Sequence, residues 1–555
     1  MRIRSIGARL AIPAVAIGLI VSGCSSDSTQ TAPSDIGSTN DINPRDPSEL
    51  RDGGNLRTDL TALPQNFNYL NVDGTDENTS SVIDPVMPSA FTADAAGNIG
   101  INHDYFTDIQ LTGTDPQKVT YTINPQAVWS DGTPITWEDL KSEAHALSGA
   151  DPGYLLSSPS GFDKVASVER GVDDRQAVLT FSKPYAEWKG QFSPLYPKSV
   201  TQTPQAFNES IRSNLPVSAG PFVITNIDRT QNRITLGRNP KWWGAPPKLD
   251  TVTFSVLDPT AVLAAIQNNE IDYAYLSGRT NVVAAHSIPD ITVRTAPESR
   301  WNVLTFNGAP GAVMSDAKVR VAISKAIDRQ AIADALQNGI VTNPRPLNNH
   351  IFLSGQKGYQ DNSAPSAFDP AAAAAELDAL GWKLNGDVRE KDGRKLVLKD
   401  VMYQQDAWVD VAKIIQENLQ KIGVKLEIQT VPGQGLFTDV INPGNYDLAE
   451  HGWGGSVFPL GALEQIYYYD PNNPQSNSGR IGSPELNALI QKTISELDPE
   501  KAIDMANQAD KMIWEEGFSL PLVQASGNYG VRSTLANVGA FGLATVDWTK
   551  VGYLK

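Results

Sequence analysis

The 555-residue chain contains a single cysteine, Cys24, which stands between an apolar segment and a polar one. One cysteine excludes intramolecular disulfides and paired-cysteine metal sites, so apolar burial and hydrogen bonds must hold the folded body together. About 500 residues follow the polar segment, and a single hydrophobic core stops growing well below that length. We therefore expect two or three lobes, each with a core of its own.

The segment before Cys24 has the features of an export signal. Residues 1–9 contain three arginines and no acid, and the apolar run LAIPAVAIGLIV follows at residues 10–21. A membrane-spanning helix needs about 20 apolar residues, so this run is too short to remain in a bilayer. A positive start before a short apolar core predicts a secretory signal peptide over residues 1–23.

The junction VSGC at residues 21–24 resembles a lipobox, in which the cysteine becomes the first residue of the mature chain. The resemblance implies a diacylglycerol on the Cys24 sulfur and acyl chains such as palmitate that anchor the protein in a membrane. The alternative is an ordinary signal peptide with an incidental cysteine. Residues 24–50 are rich in Ser, Thr, Asp, Asn and Pro, and this composition predicts a disordered tether.

The body alternates strand and helix patterns. Residues 119–123 alternate apolar and polar side chains, as in a half-buried strand. The segment from Trp408 to Ile422 places apolar side chains on one helical face, and residues 424–428 then alternate as a strand. Helices that alternate with strands predict an α/β fold.

Charge and the absence of catalytic motifs exclude several classes of function. The chain has 45 Lys and Arg against 62 Asp and Glu, a formal charge of −17, so we expect no nucleic-acid partner. Its five histidines are not paired at metal-ligand spacing, and HExxH, GxSxG, GxxxxGK[ST] and GxGxxG do not occur. We therefore predict that the protein is not an enzyme and has no metal site or cofactor. The two carboxylates of a glycoside hydrolase would not be visible as a motif, because their spacing is set by the fold and not by the sequence.

Four blocks follow one another along the body: WSDGTPITWEDL at 129–140, SAGPFVITNIDRTQNRITLGRNPKWWG at 218–244, AAIQNNEIDYAYL at 264–276 and FNGAPGAVMSDAKVRVAISKAIDRQAI at 306–332. In this order they resemble the solute-binding lipoproteins of ABC importers in the peptide and nickel class, family 5. The last block is the most specific. Within these blocks we expect Asp131, Gly132, Arg320 and Asp328 to form turns, caps and ion pairs and not to touch a ligand.

The resemblance implies a two-lobed fold of the periplasmic-binding-protein kind, type II, in the large form with an extra subdomain in the first lobe. Crossover strands near residues 299–307 and 517–524 would join the lobes. The expected parts are a first-lobe core of residues 51–83, 205–298 and 520–555, the extra subdomain at 84–204, and a second lobe at 299–519.

The resemblance also implies the function. A protein of this kind works as a lipid-anchored monomer at the extracytoplasmic face of the cell membrane. It captures a peptide or peptide-like solute in the cleft between its lobes and delivers the solute to the permease and ATPase subunits. Its expected partners are therefore the solute, those subunits and the membrane.

The identity of the ligand is less constrained. Peptide-binding members supply a carboxylate for the peptide α-amino group from a Trp-x-x-Asp segment, whereas Trp453 is followed here by Gly454, Gly455 and Ser456. Either Glu450 or Glu464 replaces that acid, or the ligand has no free amine there. A haem, metal chelate, oligosaccharide or cell-wall fragment is the alternative cargo, and a lipid-anchored hydrolase or a sensor is the alternative function.

Candidate ligand contacts lie in the aromatic, glycine-rich segment around Trp453 and in two neighbouring regions. Aromatic rings suit an apolar cleft with a polar rim, and glycine allows a ligand close to the backbone. For each aromatic residue the alternative is core packing, and for the histidine it is a strand-end side chain bonded to backbone. The candidates are Trp301, Asn302, Tyr403, His451, Trp453, Gly454, Ser456, Phe458 and Tyr467.

Overall fold

The computed structural model describes residues 39–159, 161–433 and 435–555. The predicted signal peptide, Cys24 and the tether up to residue 38 lie outside the described residues. Within the described ranges, no helix combines the length and apolar character needed to cross a bilayer.

Strands and helices alternate along the described body. The strands are β1 (Asn55–Leu60), β2 (Phe91–Ala93), β3 (Ile99–Ile101), β4 (Phe106–Thr114), β5 (Gln117–Ile123), β6 (Val165–Arg170), β7 (Gln176–Phe181), β8 (Phe222–Asp228), β9 (Arg233–Arg238), β10 (Thr251–Val256), β11 (Tyr273–Tyr275), β12 (Ile291–Phe306), β13 (Lys383–Asn385), β14 (Val388–Lys391), β15 (Arg394–Lys395), β16 (Val397–Tyr403), β17 (Lys425–Val431), β18 (Leu448–Trp453), β19 (Ser519–Arg532), β20 (Leu535–Ala536) and β21 (Gly552–Tyr553). The helices are α1 (Glu77–Ile83), α2 (Trp137–Ala146), α3 (Lys198–Thr201), α4 (Pro204–Glu209), α5 (Val262–Gln267), α6 (Gly278–Ala285), α7 (Ala317–Lys325), α8 (Arg329–Gln337), α9 (Pro370–Ala379), α10 (Asp406–Gln420), α11 (Pro484–Ile494) and α12 (Pro499–Glu515).

A ten-stranded sheet runs through the body in the order β17-β16-β18-β12-β19-β11-β1-β10-β9-β8. Its two longest strands, β12 and β19, are antiparallel neighbours at the middle of the sheet. Ile291–Pro297 pairs with Ser526–Arg532, and Trp301–Thr305 pairs with Ser519–Gln524, with a register shift between the two stretches. The expected crossings near residues 299–307 and 517–524 lie in these two strands.

Two large apolar cores lie on the two halves of this sheet. The first core takes side chains from Leu56 to Phe254 and from Val531 to Tyr553, including the separate sheet β4-β5-β7-β6. The second core takes side chains from Leu304 to Leu522. Because strands alternate with helices and each half buries its own core, the chain has the predicted two-lobed α/β fold. The predicted residue boundaries of the lobes and of the extra subdomain stay predictions.

The C-terminal part of the predicted tether is folded, which corrects the disorder expected up to residue 50. Asp41 pairs with Ala540 along the backbone, and its carboxylate accepts a hydrogen bond from Arg294 at 3.1 Å. Leu50 is buried and pairs with Leu554. The polar composition predicted disorder because it offers little apolar surface, but one buried leucine and backbone pairing to the C-terminal segment are sufficient here.

Candidate functional site

A cavity of about 860 Å3 opens between the first core and a loop of the second lobe. Most of the lining comes from the C-terminal half of α1, the segments 87–93 and 99–105, which include β2 and β3, and the segment 545–550. Val457 and Phe458, which follow β18, line the remaining side. Ligand pockets commonly measure about 300–1,000 Å3, so this cavity has the size of a binding site.

The loop that carries Phe458 is held by short contacts. Ser456 Oγ accepts a hydrogen bond from Phe458 N at 3.0 Å and donates one to Phe458 O at 3.1 Å. Gly455 N donates to Ser299 O at 2.9 Å, and a Cβ at this glycine would lie 2.5 Å from that oxygen and 2.8 Å from the Trp301 ring. A side chain at position 455 would therefore push the loop off the crossing strand β12.

Carboxylates are the majority among the charged side chains that line the cavity. Asp84 Oδ2 accepts a hydrogen bond from the Trp548 indole Nε1 at 2.5 Å. Partial desolvation by the surrounding protein raises the pKa of Asp84, and desolvation together with the nearby Asp547 raises the pKa of Asp104. Asp547 itself pairs with Lys550 at 2.9 Å. The cavity therefore carries more negative than positive side chains.

Aromatic rings make up much of the remaining wall. The rings of Tyr69, Phe91, Tyr105, Trp242 and Trp548 line the cavity. The centroids of the Tyr105 and Trp242 rings lie 5.9 Å apart, and Tyr105 donates a hydrogen bond from its hydroxyl to Ala219 O at 3.1 Å. Carboxylates beside aromatic faces form an environment that favours a cationic group.

Among the predicted ligand contacts, Phe458 lines this cavity. Trp453, at the end of β18, is half-buried. Gly454 and Ser456, between Trp453 and Phe458, are exposed. Asn302 and Tyr403 are half-buried on β12 and β16, away from the cavity lining. The glycine-rich segment thus lies at the cavity, but most of its candidate side chains do not form the wall.

Three of the predicted contacts are buried inside the second lobe and the crossing strand, and their role in ligand binding stays a prediction. A hydrogen bond joins His451 Nε2 and Thr305 Oγ1 at 2.9 Å. Burial lowers the pKa of His451 to about 4, so its imidazole is neutral. Tyr467 packs on Phe518 with ring centroids 4.9 Å apart. Trp301 is 4% exposed within an apolar cluster. Core packing, the alternative for each aromatic residue, fits these placements.

Neither acid offered as a replacement for the missing carboxylate reaches the cavity. Glu450 is fully buried, and burial together with the neighbouring buried Asp400 raises its pKa well above the usual range. Glu464 forms an ion pair with Lys164 at 3.5 Å. The cavity carboxylates Asp84, Asp104 and Asp547 were missed because no motif links them along the chain.

The segment that follows β7 in the first core also contacts the second lobe beside the cavity. The Glu187 carboxylate accepts hydrogen bonds from Leu460 N at 2.7 Å and from Gly461 N at 2.8 Å, directly after Phe458. Burial raises the pKa of Glu187 to about 7, although these two hydrogen bonds act in the opposite direction. The neighbouring Ala186 N donates to Ile494 O at 2.9 Å. These contacts bridge the two halves of the molecule.

Nothing in the described ranges forms a group of three His, Cys, Asp or Glu side chains placed to bind a metal ion.

Comparison with known proteins gives consistent matches. The family model for bacterial extracellular solute-binding proteins, family 5, matches residues 110–475. The oligopeptide-binding protein OppA of Mycobacterium tuberculosis is 50% identical over 549 residues, covering 97% of this chain and 92% of that protein. The probable monoacyl phosphatidylinositol tetramannoside-binding protein LpqW of the same species is 28% identical over 416 residues, covering 68% of this chain and 64% of that protein.

Solved structures show the same fold. The periplasmic EDTA-binding protein EppA superposes with a TM-score of 0.84 at 26% identity, covering 94% of this chain and 99% of that one. The oligopeptide-binding protein AppA from Bacillus subtilis, in complex with a nonapeptide, superposes with a TM-score of 0.71 at 20% identity, covering 91% of this chain and 100% of that one.

Proposed function

The chain belongs to the bacterial extracellular solute-binding proteins of family 5 and is a solute-binding component of an ABC importer, and we propose that its solute is a peptide. The observation that carries this proposal is the cavity of about 860 Å3 with its excess of carboxylates. A peptide brings a positive α-amino group, which this lining attracts. The OppA relative, which is 50% identical and is named as an oligopeptide-binding protein, supports the same solute class.

A metal chelate is the weaker candidate on grounds of charge. The EDTA-binding relative handles a polycarboxylate. Asp84, Asp104 and Asp547 would repel such an anion, and Lys550 is already paired with Asp547. The lining therefore favours a solute with a cationic end over an anionic chelate.

Capture follows from contact with both halves of the molecule. A peptide that touches Asp84 on one side and Phe458 on the other interacts more strongly with the closed form than with an open one. Only such a differential interaction shifts the population toward closure. The solute undergoes no chemical change in this scheme, and the closed monomer is the form that the permease and ATPase subunits receive.

Incubation with a synthetic pool of short randomised peptides is the test of solute class. Native mass spectrometry should detect one intact peptide per protein, and a hundredfold excess over the dissociation constant should stabilise the fold by about 2.7 kcal/mol. A matching pool of oligosaccharides is the control and should leave the melting temperature unchanged. Stabilisation by the oligosaccharides alone, or cleaved peptide masses, would contradict the proposal.

We also propose that Cys24 carries the lipid that holds the protein at the extracytoplasmic face of the membrane. Stable anchoring takes about two acyl chains, so losing the sulfur should release the protein nearly completely. Cys24→Ser is expected to move from the membrane fraction to the soluble fraction and to keep the peptide affinity of the unaltered protein. Persistence of the variant in washed membranes would show that another feature anchors the chain.

A further inference from the structure

Asp84 is a cavity carboxylate that one hydrogen bond holds in place and that keeps its second oxygen free. Its Oδ2 accepts the Trp548 indole hydrogen at 2.5 Å, whereas Oδ1 has no hydrogen-bond partner among the residues that the structure describes. No Lys, Arg or His of the described ranges lies within ion-pair distance of this carboxylate. Asp547, by contrast, has Lys550 at 2.9 Å. Asp84 is thus a fixed negative charge without a cation.

The environment of Asp84 disfavours an unpaired negative charge. The side chain is open to the cavity, and partial desolvation by the surrounding protein raises the pKa of its carboxyl group. Asp104 and Asp547 line the same cavity and add negative potential. A cationic group bound at Asp84 would lower the desolvation cost, because a partly desolvated carboxylate favours a charged partner with hydrogens to donate.

The aromatic wall selects the kind of cation. Tyr69, Tyr105, Trp242 and Trp548 present rings to the same space. An ammonium group gains from aromatic faces as well as from a carboxylate, and the adjacent apolar surface suits the first side chain of a peptide. Trp548 acts through the carboxylate, since its indole N–H holds Oδ2 and leaves Oδ1 for the ligand.

We propose that Asp84 binds the α-amino group of the captured peptide, in place of the acid that is absent after Trp453, and that Trp548 positions its carboxylate. The inference rests on the proposed peptide-binding function. It assigns the amine site to the first lobe, at the C-terminal end of α1, and not to the loop of residues 454–458. An acyl group on the peptide nitrogen removes both the charge and the hydrogens that Asp84 would accept.

The experiment compares two synthetic pools of randomised peptides that lack Lys, Arg and His, one with free and one with acetylated amino termini. Each pool is passed over the immobilised full chain, and retained peptides are counted by mass spectrometry. The protein is expected to retain the free-amine pool about tenfold or more over the acetylated pool, as a charge-assisted hydrogen bond implies. In Asp84→Asn the free-amine pool should be retained no more than about threefold better than the acetylated pool.

Three further variants separate the anchor from general effects. Asp410→Asn makes the same change of charge on the exposed face of α10 and should keep the full preference. Asp84→Glu keeps the carboxylate and should restore most of the preference, which shows that the cavity is intact. Trp548→Phe keeps the aromatic ring but loses the indole hydrogen, and it should lower the preference while the acetylated pool is retained as before.

The outcomes distinguish the two proposals. If the protein retains both pools equally, or if Asp84→Asn keeps the original preference, peptide binding stands and the anchor is overturned. If neither pool is retained by the unaltered protein, the peptide-binding function fails and the anchor fails with it. Loss of preference in Asp84→Asn with recovery in Asp84→Glu supports the assignment.

Discussion

Replacing Arg320 by methionine is expected to lower the free energy of unfolding by about 3–5 kcal/mol, because it leaves several buried carbonyl oxygens without a donor. Arg320 is 4% exposed, and its guanidinium donates hydrogen bonds to four backbone carbonyls. Two belong to Met314 and Ser315 before α7, at 2.7 and 3.0 Å. The other two belong to Glu516 and Gly517 after α12, at 2.6 and 2.9 Å. One side chain thus ties the start of α7 to the end of α12.

The measurement is denaturant unfolding followed by tryptophan fluorescence. Arg233→Met is the control, because Arg233 is exposed on β9 and its loss should change the free energy of unfolding by about 0.5 kcal/mol or less. Arg320→Lys keeps the charge but not the planar fork of donors, so an intermediate loss is expected. A loss below about 1 kcal/mol in Arg320→Met would show that water replaces these hydrogen bonds without cost.

The residues that identify the family act in the scaffold, as the sequence predicts. Asp328 accepts a hydrogen bond from Ala331 N at 3.0 Å and caps α8. Asp131 accepts one from Thr133 N at 2.8 Å, and Gly132 beside it has a φ of 90°, which favours glycine. Local chemistry of this kind is readable because each partner lies within a few residues. The same reason makes the strand β5 and the helix α10 predictable from periodicity.

The cavity could not be predicted in the same way. Asp84 and Trp548 are 464 residues apart and meet only because the C-terminal segment returns to the first core. No local pattern encodes that contact. The aromatic segment after β18 includes Phe458, which lines the cavity, but periodicity could not separate its exposed positions from Tyr467, which packs in the core. Burial depends on the partner elements, and a single sequence does not contain them.

Removing the carboxyl group of Glu187 is expected to weaken peptide capture by about ten- to hundredfold at about pH 5, because the closed form then leaves two backbone donors without the carboxyl oxygens that accept from them. Those donors are Leu460 N and Gly461 N, which bind the two carboxylate oxygens. We expect opening of the cleft to separate these donors from Glu187 and return them to water, so Glu187→Ala should act on the closed form alone. The dissociation constant of a peptide selected from the randomised pool is the measurement. Lys164→Met, which breaks the partly exposed pair with Glu464, is the matched control and should cost about threefold or less.

The contribution of Glu187 should also depend on pH, with a sign that follows from its burial. Its pKa is raised to about 7 in the contact, whereas a free glutamate titrates near 4.3. Closure therefore takes up a proton between these values, so the contribution is complete below about pH 4.3 and is lost as the pH rises through about 7. The deficit of Glu187→Ala relative to the unaltered protein should shrink over this window. Other titrating groups, Asp84 among them, are common to both proteins and cancel in the ratio of their dissociation constants. If the ratio of the two dissociation constants stays constant from about pH 4.3 to 7, Glu187 keeps the same environment when the solute binds. In that case its contact with Leu460 and Gly461 does not form on closure.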